Sequence, residues 1–317
     1  MHTPRRLDRI HLSLYLGLAL LLTQLHGEWI NMGPKVGKRA ERHAQIISGA
    51  GEAPWVHRLV VPWAAELTGR VIAELGGLPK QRSVEIGYLV WRWVFTFGLF
   101  LLFHRYLGHW VPPPWPLLGT LLVVGLHGPS YVHYWFQPAS SLDLLLWVAC
   151  AVLTLERRWL WIFPLILLGS LNRETSVFIV LIHGALLWGR EPLRPVALRM
   201  AGLAVCWALP FLALRWLVPG AGWAHGTSPW GMFLANLGSP GWLLYAACFW
   251  GVLWALPLLS WRTLPQTLRA LLVVLLPYLA LQLAFGRIRE VRLLLPMALA
   301  FVPVLVIVLR ARQREQA

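Results

Sequence analysis

Asn172, Arg173 and Glu174 interrupt a stretch that is otherwise apolar from Trp159 to Trp188. A charged pair at that depth costs several kcal/mol to bury in a bilayer and tends to face a cavity or a partner, which makes it a candidate site. A hairpin turn explains the same break, but Gly, Asn or Ser would suffice for a turn, without an Arg-Glu pair at its centre. A second cluster, Arg287-Ile288-Arg289-Glu290-Val291-Arg292, sets three arginines beside one glutamate near the C-terminal end. A guanidinium fork matches a pair of phosphate oxygens, so Arg173, Arg289 and Arg292 are candidate anion ligands. The other reading is an internal salt-bridge network, with Arg173 paired to Glu290 or Asp143, and the two readings are compatible.

Several chemistries find no motif. The chain has no H-E-x-x-H for a zinc protease, no G-x-S-x-G nucleophile and no Gly-rich P-loop. His127 and His133 stand six apart with no third ligand in register, so no metal site is assigned. His57, His104, His109, His183 and His225 read as interfacial or packed side chains. Cys150, Cys206 and Cys248 fall in apolar segments and read as small buried hydrophobes.

The elements that must position these residues are membrane helices. At 58% hydrophobic and 13% charged residues, with a mean hydropathy of +0.61, the 317-residue chain has more apolar surface than one water-soluble core can hold. Many of its tryptophans stand at the ends of apolar runs, where indole suits the headgroup level. The formal charge of +15 would suggest nucleic acid in a soluble protein. Here the basic residues lie between apolar segments, and topology with anionic lipid contact accounts for them without nucleic acid.

Runs at 10–26, 88–107, 115–127, 139–155, 159–171, 174–188, 196–217, 241–259, 268–285 and 292–309 predict an all-α polytopic bundle of about ten helices. Residues 1–317 form one integral membrane domain, and the first run, lacking a small-residue cleavage site, reads as a retained anchor. Arginine is concentrated in alternate connections, so the positive-inside rule puts both termini in the cytoplasm and the 27–87 loop outside. In that loop Trp55, Leu59, Trp63, Leu67, Val71 and Leu75 recur every four residues. This predicts an amphipathic surface helix, kinked near Pro62, with Arg58, Glu66, Arg70 and Glu74 on its solvated face. With this topology Glu28, His127, His133, Gln137, Asp143, the 172–174 turn and the 287–292 turn all collect on the outer side.

The arrangement resembles the GT-C class of polyprenyl-phosphate-sugar glycosyltransferases, in an uncharacterised bacterial branch. The resemblance rests on the long first loop and on four phrases: Ala53–Trp63, the helix start at Asp143, the turn Asn172-Arg173-Glu174-Thr175, and Glu290-Val291-Arg292 running to Pro296. It implies a multi-pass protein of the bacterial inner membrane that moves a sugar from a polyprenyl-phosphate donor to a lipid, glycan or protein acceptor. In that scheme Arg173, Arg289 and Arg292 hold the donor phosphate, while Asp143, Asn172 and Glu174 orient the sugar or the arginines. Members of the class usually carry an acidic residue, often an Asp-containing pair, in the first outer loop as general base or divalent-metal ligand. This loop has no Asp, and Glu28, nearest the helix exit, takes the catalytic role by default.

Two further readings use the same residues. A transporter or flippase of an anionic lipid or solute would bind it through the arginines and should show inverted internal symmetry. A non-catalytic scaffold would use the charges to hold the bundle together and should lack a deep cavity lined by them.

Overall fold

The structure, a computed structural model, describes residues 8–31, 36–131, 139–218 and 228–316. The described residues are helical, with no β-strand. Six helical segments are long and apolar enough to cross a membrane: Arg9–Glu28, Lys80–Gly108, Leu193–Leu217, Pro240–Leu259, Gln266–Phe285 and Val291–Gln316. Four shorter apolar segments, Trp115–His127, Ala139–Leu155, Trp159–Ser170 and Glu174–Leu187, pack among them. Large apolar side chains such as Leu198, Leu209 and Trp216 stand exposed around the bundle, as they must in a protein surrounded by lipid.

The first helix, α1, spans Arg9–Asn31, and α2 spans Val36–Ile47. After a single 3-10 turn at Trp55–His57, α3 runs over Val60–Gly76 and stops at Gly77, whose φ of 61° closes the helix in the left-handed conformation. Pro62 therefore lies in the first turn of α3 and does not kink a longer helix. The next helix, α4, begins at Lys80 and continues to Gly108, eight residues earlier than the apolar run suggests. Hydropathy reports membrane depth, and a helix carrying Lys80 and Arg82 in its first turn extends past that depth into water.

The apolar stripe of α3 faces outward, but one residue of its polar face is not solvated as expected. Leu67, Val71 and Leu75 are exposed, while Glu66 is 1% exposed and faces α2 and α4. Arg70 and Glu74 stay exposed, while Glu66 is covered by α2 and α4 and loses the solvated role expected for it.

Helices α3 and α4 cross at small residues, Ala65 and Gly69 on one and Ser83 and Gly87 on the other, a four-residue spacing that lets backbones approach. A Cβ added at Gly87 would lie 2.5 Å from the Ala65 carbonyl oxygen, and one at Gly69 would lie 2.8 Å from Val84 Cα. Trp91 Nε1 donates to Thr68 Oγ1 at 2.9 Å along the same seam. Gly87→Val is therefore expected to cost about 1–3 kcal/mol and to lower the thermal midpoint in detergent. Gly17→Ala on α1, where a Cβ meets nothing within 4 Å, is the matched control and should leave the midpoint unchanged or higher.

The chain continues through α5 (Trp115–His127), α6 (Ala139–Leu155), α7 (Ile162–Ser170), α8 (Phe178–Leu187) and α9 (Leu193–Leu217). It then forms α10 (Pro229–Leu237), α11 (Pro240–Trp250), α12 (Leu256–Leu259), α13 (Gln266–Phe285) and α14 (Ala298–Gln316). No apolar run announces α10; Ser228 caps it, its hydroxyl accepting from Gly231 N at 3.1 Å. The expected run at 241–259 is broken between α11 and α12, where Gly251 has a φ of 50°. The last run begins as a 3-10 helix over Val291–Met297, which carries Pro296, before becoming α14. Cys150 is buried, but Cys248 is exposed on α11, against its expected burial, and all three cysteines are free.

Candidate functional site

The chain reaches the site through two interruptions that share a floor. Where α7 ends, the backbone N–H groups of Asn172 and Arg173 both donate to the Gly169 carbonyl, at 2.9 and 2.8 Å. Arg173 then turns extended, with φ −156° and ψ 148°, before the 3-10 turn Glu174–Val177 leads into α8. Asn172 is fully buried and donates through Nδ2 to the Ala139 carbonyl at 2.9 Å, which ties this turn to the start of α6. Thr175 Oγ1 donates to Asp143 Oδ2 at 2.6 Å on the same helix start. Beneath them Trp147, Phe178 and Tyr278 pack ring against ring, with centroids 5.0 to 5.5 Å apart. Tyr278 in turn donates to the Leu293 carbonyl at 2.7 Å and so anchors the second interruption to α13.

Arg173 and Arg292 meet at one atom. Arg173 Nη1 donates to Ser140 Oγ at 3.0 Å, and Arg292 Nη1 donates to the same oxygen at 2.6 Å. Two guanidiniums 119 positions apart in sequence are thus brought to one hydroxyl, with Arg292 also paired to Glu290 and Glu174 paired to Arg58 at 2.6 Å. Of the two pairings expected for Arg173, Glu290 is instead bound by Arg292, while Asp143 lines the same inner cavity as Arg173. Both arginines line a small inner cavity of about 20 Å³, beside Asp143, His127, Arg92 and Tyr278. That volume holds about one water molecule. Asp143 Oδ1 faces this buried region without a hydrogen-bond partner.

Arg173 and Arg292 also line a larger cavity of about 480 Å³. Its wall carries six arginines, at 42, 58, 173, 215, 287 and 292, against two glutamates, Glu174 and Glu290. That is an excess of four positive charges. The remaining wall is aromatic and aliphatic, from Trp55, Phe178, Phe211, Leu281, Phe285 and Leu293. Arg42 lies 3.6 Å over the Trp55 ring, and Arg215 lies 3.5 Å over Phe211, so part of the positive charge is held against aromatic faces. A cavity of this kind suits a molecule with an anionic group at one end and hydrocarbon at the other.

The sequence-derived site residues divide. Asp143, Arg173, Glu174, Glu290 and Arg292 line one or the other cavity, and Asn172 braces the turn behind them. Arg289 does not join them; it lies over the Trp242 ring at 4.9 Å. Glu28 is exposed in the last turns of α1 and lines neither cavity, since α1 continues past it to Asn31. His127 lines the inner cavity, while His133, Gln137 and His225 lie outside the described residues. Among the described residues no three His, Cys, Asp or Glu side chains come together to hold a metal.

Sequence reasoning passed over Arg92 and Arg215 and gave Arg58 no part in the site. Arg92 and Arg215 lie inside apolar runs, and an intramembrane arginine is itself a signal of a site. Arg58 was assigned to a helix face, whereas the chain there is a turn whose Leu59 N–H donates to the Leu171 carbonyl at 2.9 Å. Comparison with protein-family models, with curated proteins and with solved structures gives no match for this chain.

Proposed function

We propose that this protein is a membrane glycosyltransferase that takes a sugar from a polyprenyl-phosphate donor bound in the arginine-rich cavity. The observation that carries the reading is that wall itself: six arginines against two glutamates, together with aromatic and aliphatic side chains. A phosphate with a hydrocarbon tail meets both halves, with guanidinium forks on its oxygens. Support for transfer comes from the phrases that carry the GT-C resemblance. Residues from Ala53–Trp63, from the Asn172 turn and from the Glu290 turn line this cavity, and Asp143 lines the one beneath it.

We take Glu174 in place of Glu28 as the general base, a role in which it must give up its ion pair with Arg58. Among the described residues the acidic side chains lining the cavity are Glu174 and Glu290, and Glu174 is the more open, 36% exposed against 21%. In this reading the apolar segments, long and short, build a bundle in a bacterial inner membrane, both termini are cytoplasmic, and the cavity opens on the outer face. Glu174→Gln should lower incorporation of labelled sugar from a polyprenyl-phosphate pool into membrane glycans by about 10²–10⁴-fold at normal abundance. A deletion strain whose glycans are all unchanged would end the transfer reading. A flippase of an anionic lipid draws on the breaks at Gly251 and at Val291–Met297. It predicts lipid movement across vesicles by protein that transfers no sugar.

A further inference from the structure

A second cavity, of about 510 Å³, lies between α2, α3 and α4, and its electrostatics are unlike those of the first. Two cations line it, Arg39 and Lys80, with two carboxylates, Glu66 and Glu85. The charges balance, so an ionic ligand would enter without a counter-charge. Ala40, Ala44, Ile47 and Val84 supply an apolar floor. Its volume is within the range of about 300–1,000 Å³ common to small-molecule sites.

The polar groups are oriented. Glu66 accepts from His43 Nε2 at 3.0 Å, and His43 Nδ1 lies 2.8 Å from the Tyr88 hydroxyl. A carboxylate on Nε2 requires a hydrogen there, and in the neutral ring Nδ1 then accepts the phenolic proton. The order Glu66, His43, Tyr88 therefore fixes the phenol at the cavity wall. Beside it the guanidinium of Arg39 stands 3.8 Å from the Glu85 carboxylate, too far for a direct hydrogen bond. A hydroxyl bridging the two can accept from Arg39 and donate to Glu85 at once; an ammonium group has no acceptor to offer Arg39, and a phosphate would bring its negative charge against the Glu85 carboxylate.

We infer that this cavity is a binding site for a neutral polyhydroxylated ligand, a sugar ring or polyol, held by Arg39, Glu85 and Tyr88. The site stands whether or not the arginine-rich cavity transfers sugar, because no residue is shared between the two linings.

The test uses the full chain in lipid nanodiscs and saturation-transfer NMR, with glucose, N-acetylglucosamine and inorganic phosphate as probes. At least one of the two sugars should receive saturation, and excess phosphate should not displace it. Glu85→Gln, which keeps shape and loses the charged acceptor, and Tyr88→Phe should each weaken that sugar about tenfold or more. Arg292→Lys should not. A second measurement needs no change to the contact residues. Ser48→Cys in a Cys248→Ala background places a thiol at the exposed rim, and sugar should slow its maleimide labelling. No signal from either sugar, equal binding by Glu85→Gln, displacement by phosphate, or labelling indifferent to sugar would each overturn the assignment.

Discussion

Lysine in place of Arg292 is expected to weaken binding of a polyprenyl phosphate by about 10- to 100-fold while the protein still inserts at normal abundance. Arg292 is 7% exposed and divides its fork between Ser140 and Glu290, at the point where Arg173 also arrives. Lysine preserves the charge opposite Glu290, so the bundle keeps its ion pair. It has no planar fork to satisfy two phosphate oxygens, and that loss falls on the ligand. Farnesyl phosphate is a convenient probe by native mass spectrometry, with inorganic phosphate and farnesol as the two halves of the molecule. Tight binding should need both halves. Farnesyl phosphate held equally well by wild type and Arg292→Lys would remove Arg292 from the site, and inorganic phosphate binding as tightly as the lipid would remove the apolar wall from it.

Acid should loosen the packing of α2, α3 and α4 through a single carboxyl. Burial alone would raise the pKa of Glu66, but hydrogen bonds from His43, Arg70 and Lys80 together outweigh it and hold the group down to about 2. A carboxylate depressed in the folded state stabilises the fold fully above its unfolded value of 4.5, and that stabilisation fades as the pH falls towards 2. The side chain is 2% exposed, so solvent screens the effect little, and the shift corresponds to about 3 kcal/mol. Wild type should therefore lose thermal stability between pH 5 and pH 2.5 faster than Glu66→Gln, with the gap between them closing as the pH falls. A gap that stays constant over that window would mean that Glu66 carries no net charge energy.

Much of the bundle could be read from the order of apolar runs, because burial in lipid is a one-dimensional property of a sequence. The turns at Asn172 and Glu290 were legible for the same reason, since charge inside such a run has few inexpensive explanations. What covers the other face of such a helix was not legible. On α3 the stripe of Leu67, Val71 and Leu75 faces outward as read, but nothing in it names His43 of α2 and Lys80 of α4 as the cover over Glu66. Long-range pairing was hidden as well. Nothing near Arg58 in the sequence names Glu174, and nothing near Ser140 names Arg173 and Arg292. Glu28 was chosen by its proximity to the end of an apolar run, which says nothing about the direction in which α1 presents it; it is exposed and lines neither of the two cavities that hold Arg173 and Arg292.

The span of the Arg58–Glu174 pair has a consequence for how the protein is made. The two residues are 116 positions apart, and Arg292 reaches back 152 positions to Ser140. At about 5–20 residues per second, a ribosome that has delivered Arg58 needs roughly 6 to 20 seconds to deliver Glu174, and longer to supply Arg292. During that interval the nascent chain holds an arginine whose eventual counter-ion has not been synthesised, in the section of protein that leaves the translocon first. A truncated product would thus insert most of its helices and still lack a finished binding cavity.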